Sequence, residues 1–147
     1  MKIIALNIET RGNPLRLGEL PEPEVKFGNT KDPALKKAKV EEAKAKQLER
    51  MALDPFFGEL LCVSLATRKE GVTELKVLTN FTHDSTEQRL LAWIWKILSG
   101  NGEPVRLVTF NGAGFDIPFL RTRSLVHRIP APFIETGKYK VADPAGA

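Results

Sequence analysis

An apolar opening, Ile3-Ile4-Ala5-Leu6, runs directly into Asn7-Ile8-Glu9-Thr10, and this junction limits what the chain can fold into more than any other stretch. Its β-branched, uninterrupted apolar character predicts a buried strand over residues 2 to 7. Side chains alternate along a strand, so Asn7 and Glu9 fall on one face. The expected product is a sheet with two oxygen-bearing side chains side by side where its first strand ends. Two metal ions could share such a pair.

The 147 residues suit one domain with a sizeable core better than two. With 42% hydrophobic and 27% charged residues the composition is that of a soluble protein, and no apolar run approaches the ~20 residues of a membrane span. The apolar start is too brief for a signal peptide. A single cysteine, Cys62, excludes a disulfide framework or thiolate metal cluster within one chain. A cytoplasmic, reducing setting is therefore expected, with no membrane partner.

The formal charge of +4 is unevenly spread. Residues 31 to 50 hold seven Lys or Arg against four acids, and residues 121 to 147 hold five against two. Two basic surfaces around a mildly acidic centre suit a polyanion held over a metal site. A run of this kind is equally the signature of a solvated face.

Beyond Glu9, the prolines and glycines between Gly12 and Pro33 predict an irregular connection. Asp32-Pro33 then caps and opens a helix reaching about Met51, with a thin apolar face of Leu35, Ala38, Ala43, Leu48 and Met51. Leu60 to Thr67 and Thr73 to Leu78 read as a hairpin turning at Lys69-Glu70-Gly71. Ser85 and Gln88 form a capping box for a helix that Gly100 stops, with Leu90, Leu91, Ile94, Ile97 and Leu98 at helical spacing. A strand from Val105 to Phe110, a helix from about Asp116 to His127, and a short final strand around Lys140 to Ala142 complete the pattern. His83 and His127 are isolated and read as surface residues. Trp93 and Trp95 read as packing groups.

The second chemical signal is Phe110-Asn111-Gly112-Ala113-Gly114-Phe115-Asp116, in which a strand end, a Gly-rich turn and an Asp at a helix start coincide. An Asp there is ordinarily a cap. The order of features is what singles it out: a first strand closing on N-I-E-T, a hairpin followed by a helix, then this strand, turn and helix.

With those elements in that order the chain resembles the DEDD superfamily of 3′-to-5′ exonucleases. It is similar to phage-type and polymerase-B-related members in G-N-T-K-D-P, in A-L-D-P-F-F-G-E-L, in F-N-G-A-G-F-D-I-P-F-L, and in the run from Leu120-Arg121-Thr122-Arg123 to Ile129-Pro130. The resemblance implies an α/β, ribonuclease H-like fold: a mixed central sheet of about five strands flanked by helices, in a single domain over residues 1 to 147. It places Asn7, Glu9 and Asp116 at metal-ligand and catalytic positions for Mg²⁺ or Mn²⁺, and Thr10, Asn111, Phe115, Arg121 and Arg123 along the nucleic acid. Single-stranded DNA or a 3′ end is the implied partner, with RNA not excluded, in a bacterial or phage-infected cell.

Two departures from the family pattern matter. The first motif is usually Asp-x-Glu, and Asn7 offers a carbonyl oxygen without the charge that bridges two cations. The third motif supplies a further Asp with a Tyr or His shortly before it, on a later helix. Tyr139-Lys140-Val141-Ala142-Asp143 has that spelling, yet Asp143 follows Asp116 by only 27 positions, too few for a helix, a loop and a strand before a third motif, and it reads rather as a strand end with a cap before Pro144. On the second reading the chain stops before its last catalytic helix, which leaves an apolar sheet face and favours self-association. An exonuclease weakened at Asn7 is the leading expectation. A catalytically silent relative that binds single-stranded nucleic acid or a replication partner is the alternative.

Overall fold

The computed structural model describes residues 1–80 and 86–132. Four strands form one mixed sheet: β1 (Lys2–Gly12), β2 (Gly58–Lys69), β3 (Val72–Thr79) and β4 (Val105–Val108), in the order β3-β2-β1-β4. β1 and β4 run parallel, from Lys2 opposite Val105 to Ala5 opposite Val108. β2 and β3 are antiparallel, from Cys62 opposite Thr79 to Lys69 opposite Val72. Their two-residue turn places both Glu70 and Gly71 at positive φ, the primed geometry whose twist matches the flanking strands. The expected fifth strand around Lys140, together with Tyr139, Asp143 and His83, lies outside the described residues.

Among the described residues three α-helices accompany the sheet: α1 (Pro33–Met51), α2 (Glu87–Leu98) and α3 (Asp116–Val126). The chain divides into two compact units, one of residues 1–10 and 60–147, the other of residues 11–59. The first unit is the mixed sheet flanked by helices that the family resemblance implies. Its core joins Ile4, Leu6 and Ile8 of β1, Leu60, Val63 and Leu65 of β2, and Val105 and Leu107 of β4 to the apolar stripes of α2 and α3. The even-numbered residues Ile4, Leu6 and Ile8 of β1 are buried and Ala5, Asn7 and Glu9 are exposed, so strict alternation sorts packing from chemistry. On β2 the alternation slips between Leu60 and Val63, which turns Cys62 to the same face as Asn7 and Glu9.

The second unit holds α1 and a short 3₁₀ helix, Pro14–Glu19, within the expected irregular connection. Asp32 accepts from the Ala34 amide at 2.9 Å and Pro33 opens the helix, as the sequence predicts. Of its thin apolar face only Met51 is buried. No helix of the described residues is long and apolar enough to cross a membrane.

Several boundaries differ from those the sequence predicts. β1 continues through the polar motif to Gly12 instead of ending at Asn7. The cap of α2 is Thr86, whose hydroxyl accepts from the Arg89 amide at 3.4 Å, one residue after the expected Ser85. β4 stops at Val108, two residues early, because the Thr109 hydroxyl accepts from the Gly112 amide at 2.9 Å and begins the turn.

A buried charged cluster joins the elements of the first unit. Glu87, at the start of α2 and 7% exposed, accepts from the Leu60 amide at 2.7 Å and from Arg123 Nε at 2.9 Å. A second bond to Arg123 Nη2 and a 2.6 Å contact with His127 Nε2 complete its shell. Burial works to raise the Glu87 carboxyl, but Arg123, the Leu60 amide and His127 outweigh it and hold it below the ordinary range. Beside it, Trp95 Nε1 donates to Ser124 Oγ at 2.7 Å, and that hydroxyl donates to the Leu120 carbonyl. Trp95 is therefore a packing group, as expected, and no buried side-chain polar atom of the described residues lacks a partner.

Removing one partner of such a pair strands the other charge. Arg123→Met should lower unfolding stability by about 3–5 kcal/mol in urea titration near neutral pH. A depressed carboxyl contributes stability above its unfolded pKa and loses it on acidification, so the deficit should shrink as the pH falls through the carboxylate range. A deficit below about 1 kcal/mol would show that water reaches the pair.

Candidate active site at the end of β1

β1 and β4 are parallel, so both deliver their carboxyl ends to the same side of the sheet. From β4 the chain turns through Thr109 to Phe115 into α3. The turn is tight. The Asn111 carbonyl accepts from the amides of Gly114 and Phe115 at 3.0 and 2.8 Å. A Cβ on Gly112 would lie 2.0 Å from Thr109 Oγ1, and one on Gly114 would lie 2.6 Å from Asn111 Oδ1. The glycines are there because those side chains fold back onto the backbone.

The turn sets Asp116 at the first helical position of α3, with Phe115 as the N-cap. Asp116 does not cap its helix in the ordinary sense. Its carboxylate, 6% exposed, accepts from its own amide and from the amide of Ile8 on β1. That bond fastens the second motif to the strand residue between Asn7 and Glu9. Burial pushes the Asp116 carboxyl above the ordinary range and the negative charge of Glu9 adds to it, against the lowering effect of the two amides.

Asn7 and Glu9 are adjacent on the exposed face of β1, with Asn7 Nδ2 donating to Glu9 Oε1 at 3.1 Å. Asp116 thus lies within electrostatic reach of Glu9, and the two come from chain segments more than a hundred residues apart. Sequence reasoning missed a fourth neighbour, Cys62 of β2. Its sulfur accepts from the Glu9 amide, and burial followed by the Glu9 charge pushes its thiol pKa up, so it stays protonated. The slip in the alternation of β2, which sets Cys62 on this face, has no sequence signature in the run Leu60-Leu61-Cys62-Val63.

The remaining expected site residues divide. Asn111 is exposed at the turn, and Phe115 is half-buried, 5.4 Å from Phe119 between ring centroids. Arg121 lies on the exposed side of α3 and Thr10 is half-buried beyond Glu9. Arg123 departs from expectation: it is buried, with its guanidinium committed to Glu87 and so turned away from any polyanion. His127, which reads from sequence as an isolated surface residue, caps α3 and shares Glu87 with Arg123. The described residues contain no group of three or more His, Cys, Asp or Glu placed to hold a metal ion.

A carboxyl raised above its unfolded value binds its proton more tightly in the folded state. Its ionisation then costs stability as pH rises through the two values, and the cost is complete at neutral pH. Asp116→Asn keeps an oxygen for the Ile8 amide and removes the charge. It should raise the melting temperature at pH 7 by roughly 2–4 °C, the equivalent of about 1 kcal/mol, and the gain should vanish below about pH 4. Equal melting temperatures for the two chains at pH 7 would refute the electrostatic account of this site.

Comparison with known protein families gives a match over residues 54–143 to a family described as a predicted 3′-5′ exonuclease related to the exonuclease domain of PolB. The match includes Asp116 and the turn before it, and begins after Asn7 and Glu9. Curated proteins and solved structures give no match. With more than half of its length matched, the chain belongs to this family of predicted 3′-5′ exonucleases related to the exonuclease domain of PolB.

Proposed function

We propose that Asn7, Glu9 and Asp116 form the divalent-metal site of a 3′-to-5′ exonuclease that removes nucleotides from single-stranded 3′ ends. The observation that carries this reading is the pairing of Asp116 with Glu9. Two carboxylates from distant segments are brought within electrostatic reach of each other, and one is held buried with its pKa raised. Convergent like charges are costly unless a counter-charge visits. Family membership supplies the reaction class.

The donors fit a hard divalent cation, since all are oxygens: two carboxylates and the Asn7 carbonyl. Bound Mg²⁺ or Mn²⁺ would neutralise phosphate charge and lower the pKa of an attacking water. The protein's own contribution is positional. The Ile8 amide anchors the Asp116 carboxylate to β1, the strand that also carries Glu9. Asn111 and Phe115, on the turn that delivers Asp116, would be the groups to meet the terminal nucleotide, and RNA ends carry the same phosphodiester chemistry.

The Asn7–Glu9 hydrogen bond favours a second reading, a relative that binds single-stranded nucleic acid or a replication partner without cutting it. An amide N–H already engages the Glu9 carboxylate that a cation would need, and the carbonyl oxygen adds no charge. Asn7→Asp discriminates. It should tighten Mn²⁺ binding in calorimetry and raise Mn²⁺-dependent release of nucleotides from a 5′-labelled single strand by roughly a thousandfold, the size of effect that a missing ligand worth ~4 kcal/mol implies. If the Asn7→Asp protein binds the strand yet releases nothing with either metal, the exonuclease reading falls and the silent binder stands.

A further inference from the structure

Adjacent strands need little chain to connect them; hairpin loops take about two to five residues. β1 and β2 are neighbours in the sheet, yet the chain places a separate compact unit of residues 11–59 between them. The family match begins only at residue 54, so nearly all of this unit lies outside it. The unit's one α-helix is no core element, since only Met51 of its nineteen residues is buried. What it displays is charge.

From Lys26 to Val40 there are five lysines and one acid. That acid, Asp32, is occupied in capping the Ala34 amide. Lys26, Lys31, Lys36, Lys37 and Lys39 are all exposed, and none forms a salt bridge with a carboxylate among the described residues. Three of them stand in the first two turns of α1, whose first turn holds no acid. Like charges near one another and near the positive end of a helix oppose folding, so this arrangement costs stability that an anion would return.

The cluster is also built as one surface. Lys36 Nζ lies 5.8 Å over the ring of Phe27, and Lys39 Nζ donates to the Phe27 carbonyl at 3.2 Å. These two interactions tie the connection carrying Lys26 to the helix carrying Lys36 and Lys39, with a half-buried aromatic ring between them. Further along α1, Lys46 and Lys44 are engaged by Glu42 and Glu22, so the unpaired charge is concentrated at the helix start.

We propose that this lysine cluster around Phe27 is a docking surface for the phosphodiester backbone of a single-stranded polynucleotide, separate from the metal site. Lysines are compact point charges on flexible stems. A row of them meets a chain of evenly repeated single charges without demanding a register, which sequence-independent binding requires. A membrane surface would need a broad apolar face beside the lysines, and α1 has none.

The test is fluorescence anisotropy of labelled oligothymidylate and oligouridylate on the full chain, in EDTA, across a salt series. The five-lysine-to-glutamine variant should bind at least tenfold more weakly at low salt. Its slope of log affinity against log salt should be shallower by about 0.7 for each phosphate that is no longer neutralised. The five-lysine-to-arginine variant should retain both. The proposal is overturned if the glutamine variant, folded by circular dichroism, keeps the parent slope, or if the parent binds neither strand. It is also overturned if phosphatidylserine vesicles or an acidic peptide bind with the same lysine dependence and more tightly than the oligonucleotides. Lysine-dependent binding with no cleavage by Asn7→Asp would sink only the exonuclease reading, and cleavage without lysine-dependent binding would sink only this one.

Discussion

The buried carboxylate of Glu87 is the interaction on which the arrangement of the sheet unit depends. A charge in a core is tolerable only when its oxygens are fully engaged, and here the partners come from three places: the Leu60 amide of β2, Arg123 in α3 and His127 at the end of α3. Apolar packing is non-directional, so by itself it resists a slide of α3 along the sheet less sharply than a fixed ion pair does. The paired charge forbids that slide, because any other register would leave a buried guanidinium or carboxylate alone. α3 is thereby held with its first residue, Asp116, against the Ile8 amide. The stability of the fold and the placement of the candidate ligand are in this sense one constraint.

At the other end of α3 the energetic logic reverses. Glu87 is held below the usual carboxylate range because its surroundings answer its charge. Asp116 is pushed above that range because burial and Glu9 work against its charge. Two buried acids on neighbouring helices therefore play opposite roles, one stabilising the fold and the other held at a cost. Strain of the second kind persists at sites that a ligand completes.

Much of the fold is legible in the sequence because it is written in local patterns. The apolar opening marks β1, Glu70-Gly71 the turn, Asp32-Pro33 the start of α1, and the spacing of Leu90, Leu91, Ile94 and Leu98 the buried stripe of α2. Asn7, Glu9 and Asp116 are legible as candidates through motif shape, and the Gly-rich turn through its glycines. What escapes is long-range. Arg123 carries no sign in its own neighbourhood that its partner lies 36 positions earlier, so an arginine in a basic stretch reads as a group for nucleic acid. His127 reads as a surface residue for the same reason. Cys62 escapes because alternation shifts within a run where every residue is apolar, leaving nothing polar to mark which side chains change face.

Asn7 is the point where these physical effects meet. Had this position been Asp, three carboxylates would converge on one sheet end, and the repulsion already felt by Asp116 would grow. The amide removes one charge and donates a hydrogen bond to Glu9, so it relieves the resting protein twice, by subtraction and by pairing. The same two effects would oppose a cation at the proposed site, which would have to break that hydrogen bond and would gain no charge from the amide. An Asn at the proposed site would thus exchange affinity for cations against stability of the metal-free fold, a balance set by side-chain chemistry alone, since Asn and Asp have almost the same shape. A polynucleotide held elsewhere on the chain would be unaffected by that exchange. On the proposed assignment, strand binding and cutting would be separable.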